Sequence, residues 1–263
     1  AEVILENYPV SGLGNITAIA DLANVSTPTV VRMSKKIGFA GFIELQAKLR
    51  DELKATMSNP IAKHDRWAEG TDNHHILNRF ADAVMDNMRQ SLGQLDVEEF
   101  DQVIKLLVKQ KNSIYVLGGR LTRSLADYFF TQMQVMRDGL ILVPPNSNTW
   151  AHYIVNMKQD DILVAFDIRR YETDILMMAE MAKAHGVKLV LITDQWGSPV
   201  AKHADHVFNA RIEVPSAWDS NMVTMFILEA LLAGVQAQTW DKTKKRMKTL
   251  EKLFDQSKLF DTH

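Results

Sequence analysis

The spacing of apolar and polar positions changes partway along the chain. Up to about Met57, apolar residues recur at three- and four-residue steps, the spacing of one buried helical face. Ile16, Ile19, Ala20 and Ala23 make one such face, and Val30, Val31 and Met33 make the next. Asn24 stands between them, where a left-handed backbone is often needed and Asn is a tolerated substitute for Gly. Ser26 suits the N-cap of the second helix, Pro28 falls in its first turn, and Gly38 is placed to end it. Phe39 and Phe42 flank Gly41 as the chain turns into a further helix predicted to reach about Thr56. The stretch SNPIAKHDRWAEGTDN, residues 58–73, is polar, holds Pro60 and Gly70 and has no clear period, so it reads as a linker. Helical patterns resume from His74 to Leu95 and from Val97 to Lys111.

The second half has a different rhythm. Short apolar runs cover Ser113 to Leu117, Leu140 to Val143, Asp161 to Phe166 and Lys188 to Thr193, with a weaker one from His206 to Ala210. Helical patterns lie between them at Thr122 to Met136, Tyr171 to His185 and Ser198 to Ala204. Strands this apolar, alternating with helices, predict a parallel sheet covered on both faces. Two closing helices are predicted, from Asp219 to Gln238 and from Lys242 to Phe254. The expected organisation is an all-α helix-turn-helix domain over residues 1–57, the linker, and an α/β domain over residues 74–263.

The helix after Asn24 would carry Thr27, Thr29, Arg32, Lys35 and Lys36 on its free face, the layout of a DNA-reading helix. Ser26, Thr27 and Thr29 sit at its start, where hydroxyls can reach base edges or phosphates. Arg32 and Thr29 are the expected base contacts, with Lys35 and Lys36 on the phosphate backbone. The motifs A-x-L-A-x-V-S, T-V-x-R and K-K-I-G-F-x-G-F across Ala18 to Leu45 resemble the N-terminal domain of the RpiR/MurR family of bacterial transcriptional regulators.

In open parallel sheets ligands bind at the loops after the strands. Three such loops stand out: Gly118-Gly119-Arg120-Leu121-Thr122, Asp167 to Thr173, and Asp194 to Ser198. Helix N-termini there favour anions, and arginines add a fork suited to phosphate or carboxylate. The run KAHGVKLVLITDQWGSPVAKHADHVF resembles the SIS (sugar isomerase) domain, and the likeness extends over about Phe80 to Gln238. That resemblance implies a flavodoxin-like fold binding a phosphosugar that alters DNA binding. It also implies first and second loops reading Gly-x-Gly-x-Ser and Ser-x-Ser-Gly-x-Thr. Here Gly118 and Thr122 keep the outer positions of the first loop, but Arg120 replaces its second glycine. In the second, Asp167 and Arg169 replace the serines and Arg170 the glycine, with Thr173 standing for the last Thr after a one-residue slip. The expected effector site is therefore Gly118, Gly119, Arg120, Thr122, Asp167, Arg169, Arg170, Glu172 and Thr173, joined by Ser216 from the loop before the closing helices. In one alternative the arginines pair with Asp167 and Glu172 and close the pocket. In another the chain is a phosphosugar isomerase using Glu172 or His152 as its base.

Composition narrows this further. Residues 1–56 carry six Lys/Arg and six Asp/Glu, and the whole chain has a net charge of −2. A DNA-reading head without surplus positive charge implies several copies, so a homodimer or homotetramer on double-stranded operator DNA is expected. The absence of cysteine excludes disulfides, Cys-ligated metals and thiol nucleophiles. No apolar run is expected to approach the length of a membrane span and no signal peptide is visible, so a cytoplasmic location is the default. The opening AEVILENYP reads as a helix already under way, so an upstream segment is expected. No catalytic motif, metal site or cofactor is expected. The partners are operator DNA and a small anionic metabolite, a phosphosugar or a related anion.

Overall fold

The structure is a computed structural model that describes residues 2–5, 10–57, 60, 61, 63 and 75–258. Most of the predicted linker, residues 58–73, lies outside the described residues. The chain divides into two compact units, Ala1–Glu69 and Gly70–His263.

In the first unit, a helical turn at Glu2–Leu5 and a 3-10 turn at Val10–Leu13 precede three helices: α1 (Ile16–Leu22), α2 (Thr27–Lys36) and α3 (Phe42–Met57). Their apolar faces meet in a small core of Ile4, Ile19, Ala20, Val30, Phe42, Leu45 and Leu49. Asn15 caps α1, its side-chain oxygen accepting from the Ala18 amide at 2.7 Å. Asn24 adopts φ 51° between α1 and α2, as its place in the sequence predicts. Gly38, at φ 99°, ends α2, and the Phe39 amide returns to the Ser34 carbonyl at 3.1 Å. That is a Schellman closure, which needs the left-handed residue at this position.

The second unit begins with α4 (Ile76–Gln94) and α5 (Val97–Leu107). There follow β1 (Ile114–Gly118), α6 (Arg123–Met136), β2 (Leu140–Leu142), the short α7 (Ala151–Ile154), β3 (Ile162–Asp167), α8 (Thr173–Ala184), β4 (Lys188–Asp194), β5 (His206–Ala210) and α9 (Met222–Ser257). The five strands form one sheet in the order β2-β1-β3-β4-β5, and every pairing is parallel. Alternate side chains go to opposite faces. Ile114, Val116, Ile162, Val164, Phe166, Val190 and Ile192 pack with Phe129, Met133, Ile227 and Leu231. Tyr115, Leu117, Leu163, Ala165, Leu189 and Leu191 pack with Trp150, Ile175, Met178 and Ala182. Each fully buried aliphatic or aromatic side chain contributes roughly 1.5–3 kcal/mol, so the two cores hold the loops at the strand ends firmly.

Three expectations are corrected. The two closing helices are one continuous helix of 36 residues, because the stretch from Gln238 to Lys242 holds neither Gly nor Pro. The helix expected over Ser198 to Ala204 is a 3-10 turn at Pro199–Lys202. By length and composition α9 is also apolar enough to cross a membrane, with a mean hydropathy of 1.3 over its best 18-residue window. Its apolar residues instead supply Val223, Ile227, Leu231 and Val235 to the core beside the sheet.

Candidate functional site

The exposed face of α2 carries Arg32, Lys35 and Lys36, with Thr27 and Thr29 half-buried at its start. The opposite face is held by Val30 and by Ser34, whose buried hydroxyl donates to the Val30 carbonyl at 3.0 Å. Ser26 occupies the N-cap position in an extended conformation, but its side chain makes no capping bond. Its Oγ lies 3.0 Å from Thr29 Oγ1, which also accepts from Arg32 Nη2 at 3.1 Å. Ser26, Thr29 and Arg32 thus form one polar row along the helix, and Thr29 orients the guanidinium.

The loops after β1 and β3 lie side by side where the strand order reverses, the position at which doubly wound sheets bind ligands. Between them is a cleft of about 330 Å³ lined by Arg120, Leu121, Thr122, Asp167, Ile168, Arg169, Arg170 and Glu172. Six of the expected effector residues therefore come together. Gly118 and Gly119 form the adjoining backbone. A Cβ on Gly118 would fall 2.6 Å from the Thr122 carbonyl oxygen and 2.9 Å from the Arg123 nitrogen, so the turn into α6 requires glycine there. A Cβ on Gly119 would run into the Glu172 carboxylate. Thr173 is the first, exposed residue of α8. Ser216 is not among the lining residues; its Oγ accepts from the Trp218 amide at 3.1 Å within its own loop.

Several side chains in the cleft have roles other than those expected from their positions. The Thr122 hydroxyl accepts from the Gly119 amide and donates to the Phe166 carbonyl, both at 2.8 Å, so it ties the first loop to β3. Arg169 does not pair with Asp167 or Glu172. Its Nε lies 3.2 Å from Asp219 and its Nη2 3.4 Å from Glu213, and the guanidinium stacks 4.3 Å from the Trp196 ring centre. With 7% of its side chain exposed, it clamps the β3 loop to the segment before α9. Glu172 does not meet an arginine side chain either: its Oε1 accepts from the Arg120 amide at 2.7 Å. The guanidinium groups of Arg120 and Arg170 form no ion pair among the described residues.

Acidic groups support this loop from below. Asp167 is buried, accepts from the Ser198 hydroxyl and from the Glu172 amide at 3.2 Å, and is pushed up to about 6 chiefly by burial. Asp194 is also raised, by burial first, although it accepts from the Arg169 amide (2.7 Å), the Tyr171 hydroxyl (2.8 Å) and the Trp196 amide (2.9 Å). Burial likewise raises the Tyr171 phenol, and the Asp194 carboxylate adds to the effect. These bonds hold Arg169 and Arg170 at φ 26° and 62°, a pair of left-handed residues with side chains that would cost about 1–3 kcal/mol each if unsupported. The sequence picks out the loops that hold Asp194, Tyr171 and Ser198 but not these side chains, nor Glu213 and Asp219, as site residues. The sequence signal for the turn was Arg170, a residue with a side chain where the SIS pattern has Gly. Among the described residues no cluster of His, Asp or Glu could hold a metal ion.

Residues 1–56 match the helix-turn-helix domain of the rpiR family, and residues 106–234 match the SIS domain. The chain belongs to the RpiR family of transcriptional regulators. The Pseudomonas aeruginosa HTH-type transcriptional regulator HexR is 25% identical over 253 residues, covering 89% of this chain and 82% of that protein. The sugar isomerase domain of an RpiR transcription factor from Sphaerobacter thermophilus superposes with a TM-score of 0.64 at 17% identity, over 68% of this chain and 99% of that one. The Vibrio vulnificus NanR protein, in complex with ManNAc-6P, gives a TM-score of 0.59 at 15% identity, covering 99% of this chain and 92% of that chain. At these identities the structural likenesses establish the fold. The helical unit is thus an rpiR-family helix-turn-helix domain, and the α/β unit is a SIS domain.

Proposed function

We propose that this regulator reads a roughly palindromic operator through Thr29 and Arg32, with Lys35 and Lys36 on phosphates, and that its SIS cleft senses a small anionic metabolite. The observation behind the effector reading is that Arg120 and Arg170 line the cleft without an acidic partner among the described residues, while Arg169 is engaged elsewhere. The anion would enter between those two guanidinium groups, which suit planar carboxylate and phosphate oxygens alike. Glu172 already occupies the Arg120 amide, so a ligand with a compact doubly charged phosphate must displace its carboxylate, whereas a ligand with hydroxyl or amino groups can hydrogen-bond to it. Binding would regulate by favouring one arrangement of the DNA-reading heads in a cytoplasmic dimer or tetramer, by as much as the ligand prefers that arrangement.

The test has two arms. Duplexes selected from random sequence define the operator, and Arg32→Ala is expected to abolish that preference with melting temperature and oligomeric state unchanged. Retained preference would refute the DNA-reading assignment. Separately, melting temperature is measured against phosphosugars and non-sugar carboxylates. A ligand of the native state must raise it, and the rise is expected to vanish in Arg120→Ala/Arg170→Ala. A rise that persists in that variant would place the site elsewhere, and no rise with any compound would mean the cleft is closed.

A further inference from the structure

The far half of α9 carries a charge pattern that neither the helix-turn-helix head nor the SIS cleft explains. Residues 242–248 read Lys-Thr-Lys-Lys-Arg-Met-Lys, with no carboxylate among them. From Asp241 to Lys258 there are seven cations against three acids, Asp241, Glu251 and Asp255, in a chain whose net charge is −2. Lys242, Lys244, Lys245, Lys248 and Lys252 are exposed, and none pairs with a carboxylate among the described residues. At about 100° per residue, Lys244, Lys245, Lys248 and Lys252 fall within one quadrant or so of the helix surface, over roughly 12 Å of its length. Asp241 and Asp255 stand at the two ends of that stripe, and Glu251 lies at its edge, three residues on from Lys248.

This stretch is held in place rather than free. Thr243 is fully buried, with its Oγ1 3.0 Å from Thr239 Oγ1. Arg246 turns away from the stripe, its Nε donating to the Gln134 carbonyl on α6 at 2.8 Å. Four lysines on one helix face repel one another, a repulsion that Asp241, Glu251 and Asp255 offset only in part and that a polyanion would relieve. The DNA-reading unit carries equal numbers of cations and anions over residues 1–56, so it lacks the surplus charge that sequence-independent duplex binding draws on.

We infer that Lys244, Lys245, Lys248 and Lys252 form a second DNA-contacting surface, which grips the phosphate backbone of the duplex without reading its sequence. The inference rests on the DNA-binding reading of the first unit, so variants of both surfaces are compared. The full chain, Lys244→Gln/Lys245→Gln/Lys248→Gln, and Arg32→Ala/Lys35→Gln/Lys36→Gln are titrated against a labelled 40-base-pair duplex of random sequence by fluorescence anisotropy, from 50 to 200 mM KCl. Each phosphate contact contributes about 0.9 to the slope of log affinity against log salt. The triple lysine variant is expected to lower that slope by roughly 2–3 and to weaken binding at 50 mM KCl, with melting temperature and oligomeric state unchanged. Lys→Arg replacements at the same positions should restore both. An unchanged slope overturns the inference while leaving the head intact. Loss of the whole slope in the head variant alone does the same. A chain that binds no duplex at all removes both readings together. Loss of binding to vesicles containing phosphatidylserine, with duplex binding unchanged, would assign the stripe to a membrane instead and also overturns it. If the triple variant alters the oligomer, Lys244→Gln and Lys248→Gln are measured singly; each is expected to lower the slope by about one, and no change in either refutes the inference.

Discussion

Replacing Asp167 by Asn would test the electrostatics beneath the cleft between the β1 and β3 loops. Asp167 is 2% exposed, and burial pushes its carboxyl from 3.8 to about 6. The Ser198 hydroxyl and the Glu172 amide pull it back, while the neighbouring Glu172 and Asp194 charges push it further up. A rise of that size corresponds to about 3 kcal/mol. Between pH 4 and 6 the folded chain holds this proton while the unfolded chain has lost it, so raising the pH through that window costs stability, with no further loss above it. Asn is neutral throughout. Its carbonyl oxygen can accept from the Glu172 amide, and its NH2 can donate to Ser198 Oγ, so the side chain fits the same place. Any offset from the rearranged Ser198 hydroxyl is the same at every pH. Urea unfolding of both proteins from pH 4 to pH 8 gives the difference in stability. That difference should shift in favour of the Asp167→Asn variant by about 3 kcal/mol between pH 4 and 6 and then level off. A flat difference, or one moving the other way, would mean that the hydrogen bonds keep Asp167 ionised and that burial does not dominate.

The remaining predictions concern neighbouring positions. Gly118→Ala forces a Cβ against the Thr122 backbone and should lower stability by roughly 1–3 kcal/mol in chemical denaturation, whereas Gly119→Ala meets only the Glu172 carboxylate, which can swing aside at the loss of its bond to the Arg120 amide, and should cost less; equal losses would refute the distinction. Glu172→Ala removes the carboxylate that occupies the Arg120 amide, so inorganic phosphate or a phosphosugar should raise its melting temperature more than that of the parent chain; equal rises would show that Glu172 does not compete with the ligand. Arg169→Ala leaves Glu213 and Asp219 without their shared cation and removes the stacking on Trp196, so it should cost roughly 1–3 kcal/mol, and Arg169→Lys should not fully restore it. Unchanged stability in Arg169→Ala would return this side chain to the ligand contacts.

Most of the architecture was legible in the amino-acid order because its signals are local. Asn24 and Gly38 mark their own left-handed turns, Pro28 and Ser26 mark the start of α2, and the five apolar runs mark the strands. A helical face or a buried strand is a period in the sequence, and a turn is a backbone requirement of one residue. Even here, local reading failed where no breaker residue existed to confirm a boundary. The break expected between Gln238 and Lys242 does not exist, and nothing local separates the lysine stripe beyond it from the solvated end of an ordinary helix.

What only the tertiary structure decided was what each site side chain is bonded to. The loops of the cleft were identifiable from sequence, but the engagement of Arg169 with Glu213 and Asp219, of Thr122 with Phe166, and of Glu172 with the Arg120 amide was not. The first loop meets β3 and its loop because β1 and β3 are neighbours in the sheet though separated in the chain, while Arg169 is met by the segment that follows β5. Charge and hydrogen-bonding capacity are properties of a residue, but whether they are already satisfied depends on groups about fifty positions away. That is why the sequence could name three candidate anion-binding arginines, and only the fold separates the clamp, Arg169, from the two that line the cleft without an acidic partner among the described residues.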